Sequence, residues 1–186
     1  MKVFINFGHN PKHPTLPDVG AVGFGVTEAD IAREIGTKVV KYLTDAGVQV
    51  VGTIQDELAP TVDAANNSGA DLFVSLHCNA ANGKAMGTET FYCGGSSKGI
   101  RYAEIMQKQL INSLNTVDRG IKADWESRVG YLFVLRNTSM PAILIEIAFI
   151  DNFEDNQLLV NKQDEIARAI ARGITDIELE AEKHGT

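Results

Sequence analysis

The chain has 186 residues, 44% hydrophobic and 22% charged, with a net charge of −7 and a pI near 5.1. That length suffices for one domain with a sizeable core, and the acidic balance argues against nucleic acid or an anionic surface as partner, since both attract basic patches. No run reaches the roughly 18 apolar residues of a membrane span, and the first nine residues are too short and too interrupted, by Asn6 and His9, for a secretory signal, so none is expected.

Residues 2–7 read as a strand, followed by a loop rich in Gly, Pro and His over residues 8–26. Thr27-Glu-Ala-Asp30 predicts a helix start, a Thr N-cap with a carboxylate three residues on. Ile31, Ile35, Val39 and Leu43 continue it at helical spacing, and Gly47 stops it. A strand is expected over 48–53, a short helix over 61–68 ended by Gly69, and a strand over 72–76 running into His77. Residues 87–92 read as a strand, and 98–114 as a helix on Ile100, Ala103, Met106, Leu110 and Leu114. Two further strands are expected at 131–135 and 142–147, and Ile166, Ile170, Ile174 and Ile177 mark a last helix. Residues 1–178 form the predicted domain, and the acidic end, 179–186, either extends the last helix or frays. Strands alternating with helices predict an α/β fold: a single-domain twisted, largely parallel sheet with helices on both faces. Cys78 and Cys93 make no disulfide framework and read as small buried hydrophobes, with a bond open only if their strands are neighbours.

Glu146 stands alone among the apolar residues of the run 141–150. An isolated carboxylate buried in such a strand costs several kcal/mol, roughly, unless it meets a cation or hydrogen-bond donors. It therefore predicts a metal ion or a reacting water nearby; the alternative is a pairing Arg or backbone N–H groups. Strand alternation places Leu144, Glu146 and Ala148 on one face and Ile143, Ile145 and Ile147 on the other.

Open α/β sheets bind ligands at the carboxyl ends of their strands. His9, His77 with Asn79 after it, and Glu146 all lie there, and Glu28 opens a helix that could face the same edge. Two His and a carboxylate with an open position form a common catalytic zinc set. A further carboxylate can then take the proton of the attacking water. Each residue has a plainer alternative. His9 could be a solvated loop histidine, His77 a residue of its turn, and Glu28 a complement to the helix dipole. His13 is a rival ligand in an exposed loop, and His184 in the tail is set aside. The candidates are scattered, with no HExxH-like spacing.

The order of motifs carries a resemblance. Gly8-His9, Asp18-x-Gly-Ala21, Glu28 at a helix start, Ser75-Leu-His-Cys-Asn-Ala80, Gly87-Thr-Glu-Thr-Phe-Tyr92, Asp118-Arg-Gly-Ile-Lys122 and Leu135-Arg-Asn-Thr-Ser-Met-Pro-Ala-Ile-Leu-Ile-Glu146 follow one another. The chain, over residues 2–177, resembles the zinc-dependent N-acetylmuramoyl-L-alanine amidases of the Amidase_3 type, which include autolysins, sporulation amidases and phage endolysins. The resemblance implies one Zn²⁺ on His9, Glu28 and His77, Glu146 as the catalytic carboxylate, and peptidoglycan as substrate. The bond cleaved would join N-acetylmuramic acid to L-alanine of the stem peptide, at the bacterial cell wall, by a protein either extracellular or released from the cytoplasm. Near the metal, Glu146 is expected to stay ionised at neutral pH.

Asn79 and Asn137 are read as orienting substrate, Arg136 as pairing with a stem-peptide carboxylate, and Trp125 as packing either on substrate or within the fold. The sequence departs from the family's pattern at Asn6-Phe7, where Asp-Pro is usual before Gly-His, and at Ile54, Thr61 and Ala148. Loss of that Asp is expected to remove an outer partner of His9 and to weaken metal binding about 10- to 100-fold. Only residues 93–98 separate the Gly-x-Glu strand from the next helix, which leaves no room for an occluding helix, so a monomer without an activator is expected. The rival readings are another zinc peptidase, such as a carboxypeptidase, and a wall-binding module without catalysis.

Overall fold

The computed structural model describes residues 1–183; the end of the expected acidic tail, with His184, lies outside the described residues. Its elements are β1 (Lys2–Phe7), β2 (Val22–Gly23), β3 (Val26–Thr27), α1 (Glu28–Asp45), β4 (Gln49–Ile54), α2 (Leu58–Asn67), β5 (Leu72–Asn79), β6 (Thr88–Tyr92), α3 (Ser97–Leu114), β7 (Asp118–Ala123), α4 (Phe133–Asn137), β8 (Ala142–Phe149), α5 (Phe153–Asn161) and α6 (Gln163–Lys183). Six strands form one sheet in the order β4-β1-β5-β8-β6-β7. β4, β1, β5 and β8 are mutually parallel, β6 runs antiparallel to β8, and β7 is parallel to β6. The short β2–β3 ribbon stands apart.

Strand alternation builds two cores. Val3, Ile5, Leu72, Val74, Leu76, Ile143, Ile145 and Ile147 pack with the apolar faces of α1, α3 and α6. Phe4, Phe73, Phe91 and Leu144 point the other way and pack with Val62, Ala65, Val134 and Leu135 of α2 and α4. Helices thus cover both faces, and the second face, less fully covered, is the one that carries Glu146.

Several boundaries differ from the sequence reading. Residues 131–135 are not a strand. Tyr131 is exposed while the adjacent Val134 and Leu135 are buried, a pattern no strand gives, and α4 forms with Asn137 Nδ2 donating to Phe133 O and Thr138 Oγ1 to Val134 O, both 2.8 Å. β7 and α5 were not foreseen. β7 is for the most part only half-buried and carries no apolar alternation, whereas α5 is announced by Asn152, whose side chain accepts from Glu154 N and Asp155 N. β8 has an extra residue, since His77 pairs with Glu146 but Asn79 with Phe149. That bulge turns Ala148 away from the face of Glu146 and into the core with Ile147, correcting the simple alternation. α6 continues through Glu178, whose carboxylate pairs with the N-terminal amine. Both cysteines are free, Cys78 buried and Cys93 half-buried.

Candidate metal centre and active site

The carboxyl ends of β1, β5 and β8 and the start of α1 meet at one rim. Thr27 caps α1, its side chain accepting from Asp30 N, so Glu28 occupies the first turn, buried and directed at the sheet edge. His9 follows β1 in a left-handed conformation (φ 69°), costly for a residue other than glycine by about 1 kcal/mol or more. Two glycines make room for the histidines. A methyl at Gly8 would stand 2.5 Å from the His77 ring, and one at Gly20 would stand 2.6 Å from both Glu28 Oε2 and the His9 ring.

The structure brings His9, Glu28 and His77 together. One potential ligand atom from each lies within 4.8 Å of the others. Glu28 Oε1 is 2.9 Å from His9 Nε2 and 2.8 Å from His77 Nδ1. It also accepts from Cys78 N at 3.0 Å, and Oε2 accepts from Ala21 N at 2.9 Å. The His9 Nε2 contact is close but poorly aligned, so this buried nitrogen has no hydrogen bond. An orphaned imidazole nitrogen, a second imidazole and a buried carboxylate converging on one point are the donor types that hold zinc. The residues present therefore fit the ion.

The electrostatics agree. Burial alone would lower the His9 pKa, but Glu28 and Asp18 outweigh it and raise it to about 9. Burial alone would raise Glu28; His77 and His9 instead hold it far below the usual carboxylate range. A site that, without a metal, gathers a proton between its imidazole and its carboxylate is already arranged around a positive charge.

His9 Nδ1 pairs with Asp18 Oδ2 at 2.9 Å, and Asp18 Oδ1 accepts from Gly20 N at 3.0 Å. This corrects the expectation that His9 lacks an outer partner. Asn6, in the place of the usual Asp, binds Ser75 Oγ and Ile54 O inside the sheet, while the loop supplies Asp18 from the other side. Such a partner fixes the tautomer, leaving Nε2 as the donor to a metal.

A cleft of about 540 Å³ opens over these residues. Glu146 lies on its floor, opposite His77 in β5 and opposite Glu89 in β6. Its Oε2 is buried without a hydrogen-bond partner. Burial first, then the charges of Glu28 and Glu89, push its pKa well above the usual carboxylate value, while His9 and Lys122 pull it back.

Asn79 also lines the cleft, its amide donating to Glu89 Oε1 at 2.8 Å. Arg136 and Asn137 do not line it. Arg136 clamps the buried Asp124 through Nε (2.5 Å) and Nη2 (3.2 Å) and stacks on Tyr131, 4.0 Å from the ring centre. Asn137 binds Phe133 O and takes the Asn66 amide on its own carbonyl. Trp125 lies flat against Gly94, where a methyl would meet its ring at 1.5 Å. His13 is spent on Glu57, at 2.8 Å, and on Leu16 N.

Sequence reasoning gave no role to Asp18, Glu89, Arg119 and Lys122. Glu89 is the missed signal with the clearest trace: a charged residue in the middle of the strand Thr-Glu-Thr-Phe-Tyr, buried against Arg119 and Lys122. Those two charges hold it below the usual carboxylate range against the opposing effect of burial.

Known proteins share this chain's sequence and fold. Residues 3–176 match the family described as N-acetylmuramoyl-L-alanine amidase. The Bacillus subtilis (strain 168) protein YqiI is 37% identical over 182 residues, covering 92% of this chain and 82% of its own. A cell wall amidase of Bacillus anthracis is 40% identical, and there the chain spans only 34% of the relative's length. The crystal structure of an N-acetylmuramoyl-L-alanine amidase from Clostridium difficile 630 superposes with a TM-score of 0.84 at 29% identity, covering 100% of this chain and 98% of that one. Matched to the family over residues 3–176 and sharing its fold along its whole length with such an enzyme, the chain belongs to the N-acetylmuramoyl-L-alanine amidase family.

Proposed function

We propose that the chain is a zinc-dependent peptidoglycan amidase that hydrolyses the bond between N-acetylmuramic acid and L-alanine of the stem peptide. The observation that carries the reading is the unbonded His9 Nε2 beside His77 Nδ1 and Glu28 Oε1, with Glu146 at the same cleft floor. His9, Glu28 and His77 would hold the ion, which when bound supplies Lewis acidity to the amide carbonyl and to the attacking water.

The chain's own residues supply the rest. Asp18 keeps the His9 proton on Nδ1, so Nε2 faces the cleft with its lone pair. Cys78 N and Ala21 N hold the two oxygens of Glu28 and fix its orientation. Glu146, poorly solvated and crowded by two other carboxylates, has reason to accept a proton. It takes one from the attacking water and delivers it to the alanine nitrogen as that nitrogen leaves. Positive charge at the three donors would offset the crowding and keep Glu146 ionised before the reaction.

The same reading places the enzyme at the bacterial cell wall, as a monomer open without an activator. Four residues, 93–96, join β6 to α3, too few for a helix that could cover the cleft. No described helix is long and apolar enough to cross a membrane.

The test is digestion of purified peptidoglycan, with chelator and with zinc restored, followed by identification of the new amino termini. N-terminal alanine that appears only with zinc is expected. New termini at another residue would favour a peptidase, and binding without any new terminus would favour a wall-binding module.

A further inference from the structure

Beside Glu146 the cleft carries a charged group that hydrolysis, as proposed above, does not use. On one face of the sheet, neighbouring strands bring forward His77 from β5, Glu146 from β8, Glu89 from β6, and Arg119 and Lys122 from β7. Glu89 is 4% exposed. Its Oε2 accepts from Arg119 Nε at 2.7 Å and from the Lys122 ammonium, and its Oε1 from the Asn79 amide. Arg119 rests on the Phe149 ring, 4.8 Å from its centre, and Lys122 lies near Phe91.

A group that served only to tie β6 to β7 would balance its charges and be covered, because an unmatched buried charge is costly. This one is left open to the cleft, and a single carboxylate, Glu89, is ion-paired with both cations. Both cations line the cleft with about a quarter to a third of their side chains exposed. Lys122 spends one of three N–H groups on Glu89. Arg119 spends Nε on Glu89 and Nη1 on Met86 O, and its Nη2 has no protein acceptor among the described residues. Glu126, which also lines the cleft, is turned to Ala123 N at 2.7 Å. The spare donors therefore belong to side chains that line the cleft, and no carboxylate other than Glu89 is paired with them among the described residues.

Their distance from the reaction suggests what does. β7 is two strand spacings from β8, about 10 Å between backbones, and the side chains of Lys122 and Arg119 reach part of the way back. A peptide advances about 3.5 Å per extended residue, so a group one residue beyond the alanine falls within reach of these cations. We propose that Lys122 and Arg119, held in place by Glu89, form a subsite for a free carboxylate on the residue that follows L-alanine in the substrate. The proposal rests on the amidase reading given above. A carboxamide at that position would forgo charge-assisted hydrogen bonds from the spare donors of both cations.

Two synthetic N-acetylmuramyl peptides test this, identical except that the residue after alanine bears a carboxylate in one and a carboxamide in the other. The zinc-loaded protein should prefer the carboxylate by roughly 10-fold or more in kcat/KM, mainly through KM, the scale expected for a hydrogen bond to a charged group. Lys122→Met keeps the stem and removes the charge, and the ratio should fall to within about twofold of one. Calorimetric binding of the two released peptides should give the same ranking without turnover, and it decides the matter in the wild-type protein should the variant not fold. Equal cleavage of both peptides by the wild type would overturn the subsite and leave the amidase reading standing. So would an unchanged preference in a folded Lys122→Met, Arg119→Met double variant. Cleavage of neither peptide together with selective binding of the carboxylate form would uphold the subsite and overturn the hydrolytic reading.

Discussion

Gly8→Ala should cripple metal binding without changing any ligand. Gly8 joins β1 to His9, and its N–H donates to Leu76 O at 3.0 Å. Its φ is not in the left-handed region, so alanine fits the backbone and the whole effect is steric. The added methyl would stand 2.5 Å from His77 Cε1, 2.7 Å from Nε2 and 2.8 Å from Nδ1. Ordinary contact needs about 3.5 Å, so something must retreat by roughly 1 Å. β1 and β5 are paired from Val3–Leu72 to Phe7–Leu76, and parting them would cost several hydrogen bonds, whereas among the described residues the His77 ring is held by one hydrogen-bond partner, Glu28, and an edge-on contact with His9. The ring therefore gives way, and its 2.8 Å approach to Glu28 Oε1 is lost. Metal sites tolerate about 0.2 Å in ligand distance. Zinc affinity should fall by at least 10- to 100-fold, the loss that follows when only an outer partner of a ligand is disturbed, while overpacking costs about 1–3 kcal/mol of stability. Titration against a competing chelator, beside a thermal melt, measures both. A folded variant that binds zinc within about threefold of wild type would refute the placement of His77 Nδ1 as a ligand.

Asp18→Asn should lower zinc affinity about 10- to 100-fold with little change in melting temperature, since Asp18 is largely exposed; unchanged affinity would mean that the His9 contact at 2.9 Å does not set the tautomer. In the zinc-free protein the His9 pKa is raised from 6.5 to about 9, so its contribution to stability is complete below about pH 6.5 and is lost as pH rises through 9. The melting temperature in chelator should fall across that window, and a flat profile would contradict the assignment. Glu146→Gln should cut turnover by a factor of roughly 10² to 10⁴ in a protein that still folds and binds zinc. Because Glu146 Oε2 has no partner and sits near two carboxylates, the zinc-free variant should be no less stable than wild type above about pH 5; a clear loss of stability with activity kept would make Glu146 structural.

The fold was legible wherever burial imposed a period. α1, α3 and α6 announce themselves by apolar residues at helical spacing, and β1, β5 and β8 by continuous apolar runs, because each of these strands is covered on both faces. β7 was not legible because it is an edge strand whose residues are mostly half-buried without alternation, so no period of burial was written into it. Residues 131–135 misled for the converse reason. Tyr, Leu, Phe, Val and Leu suit a strand by type, yet Tyr131 stacks on Arg136 at the surface, and tertiary packing of Val134 and Leu135 on α2 made a helical turn of the segment. The bulge at Ala148 follows from pairing with Asn79, a partner about 70 residues away, which no local pattern records.

The site was legible in a different way, through chemistry out of place. Glu146 in an apolar run and His77 at the end of another are costly unless they serve something, and that cost pointed to the rim before any contact was known. The same reasoning could have found Glu89 inside its strand. It could not have found Asp18. A carboxylate in an exposed loop costs nothing, so no burial penalty marks Asp18, and its role shows only in the 2.9 Å contact with His9 Nδ1. Comparison with the pattern Asp-Pro-Gly-His even pointed the wrong way, since it located the partner of His9 at position 6. Here the strand spends position 6 on Ser75 and the loop provides the carboxylate instead. What a zinc ion held by His9 would require is an acceptor within about 3 Å of His9 Nδ1, and the fold can meet that requirement from either side of the ring. A residue that answers to a geometric requirement of this kind can move along the sequence without the site changing, whereas His9, Glu28 and His77, whose candidate ligand atoms converge, and Glu146, which lines the same cleft, are bound to the strand ends and the helix start that bring them there.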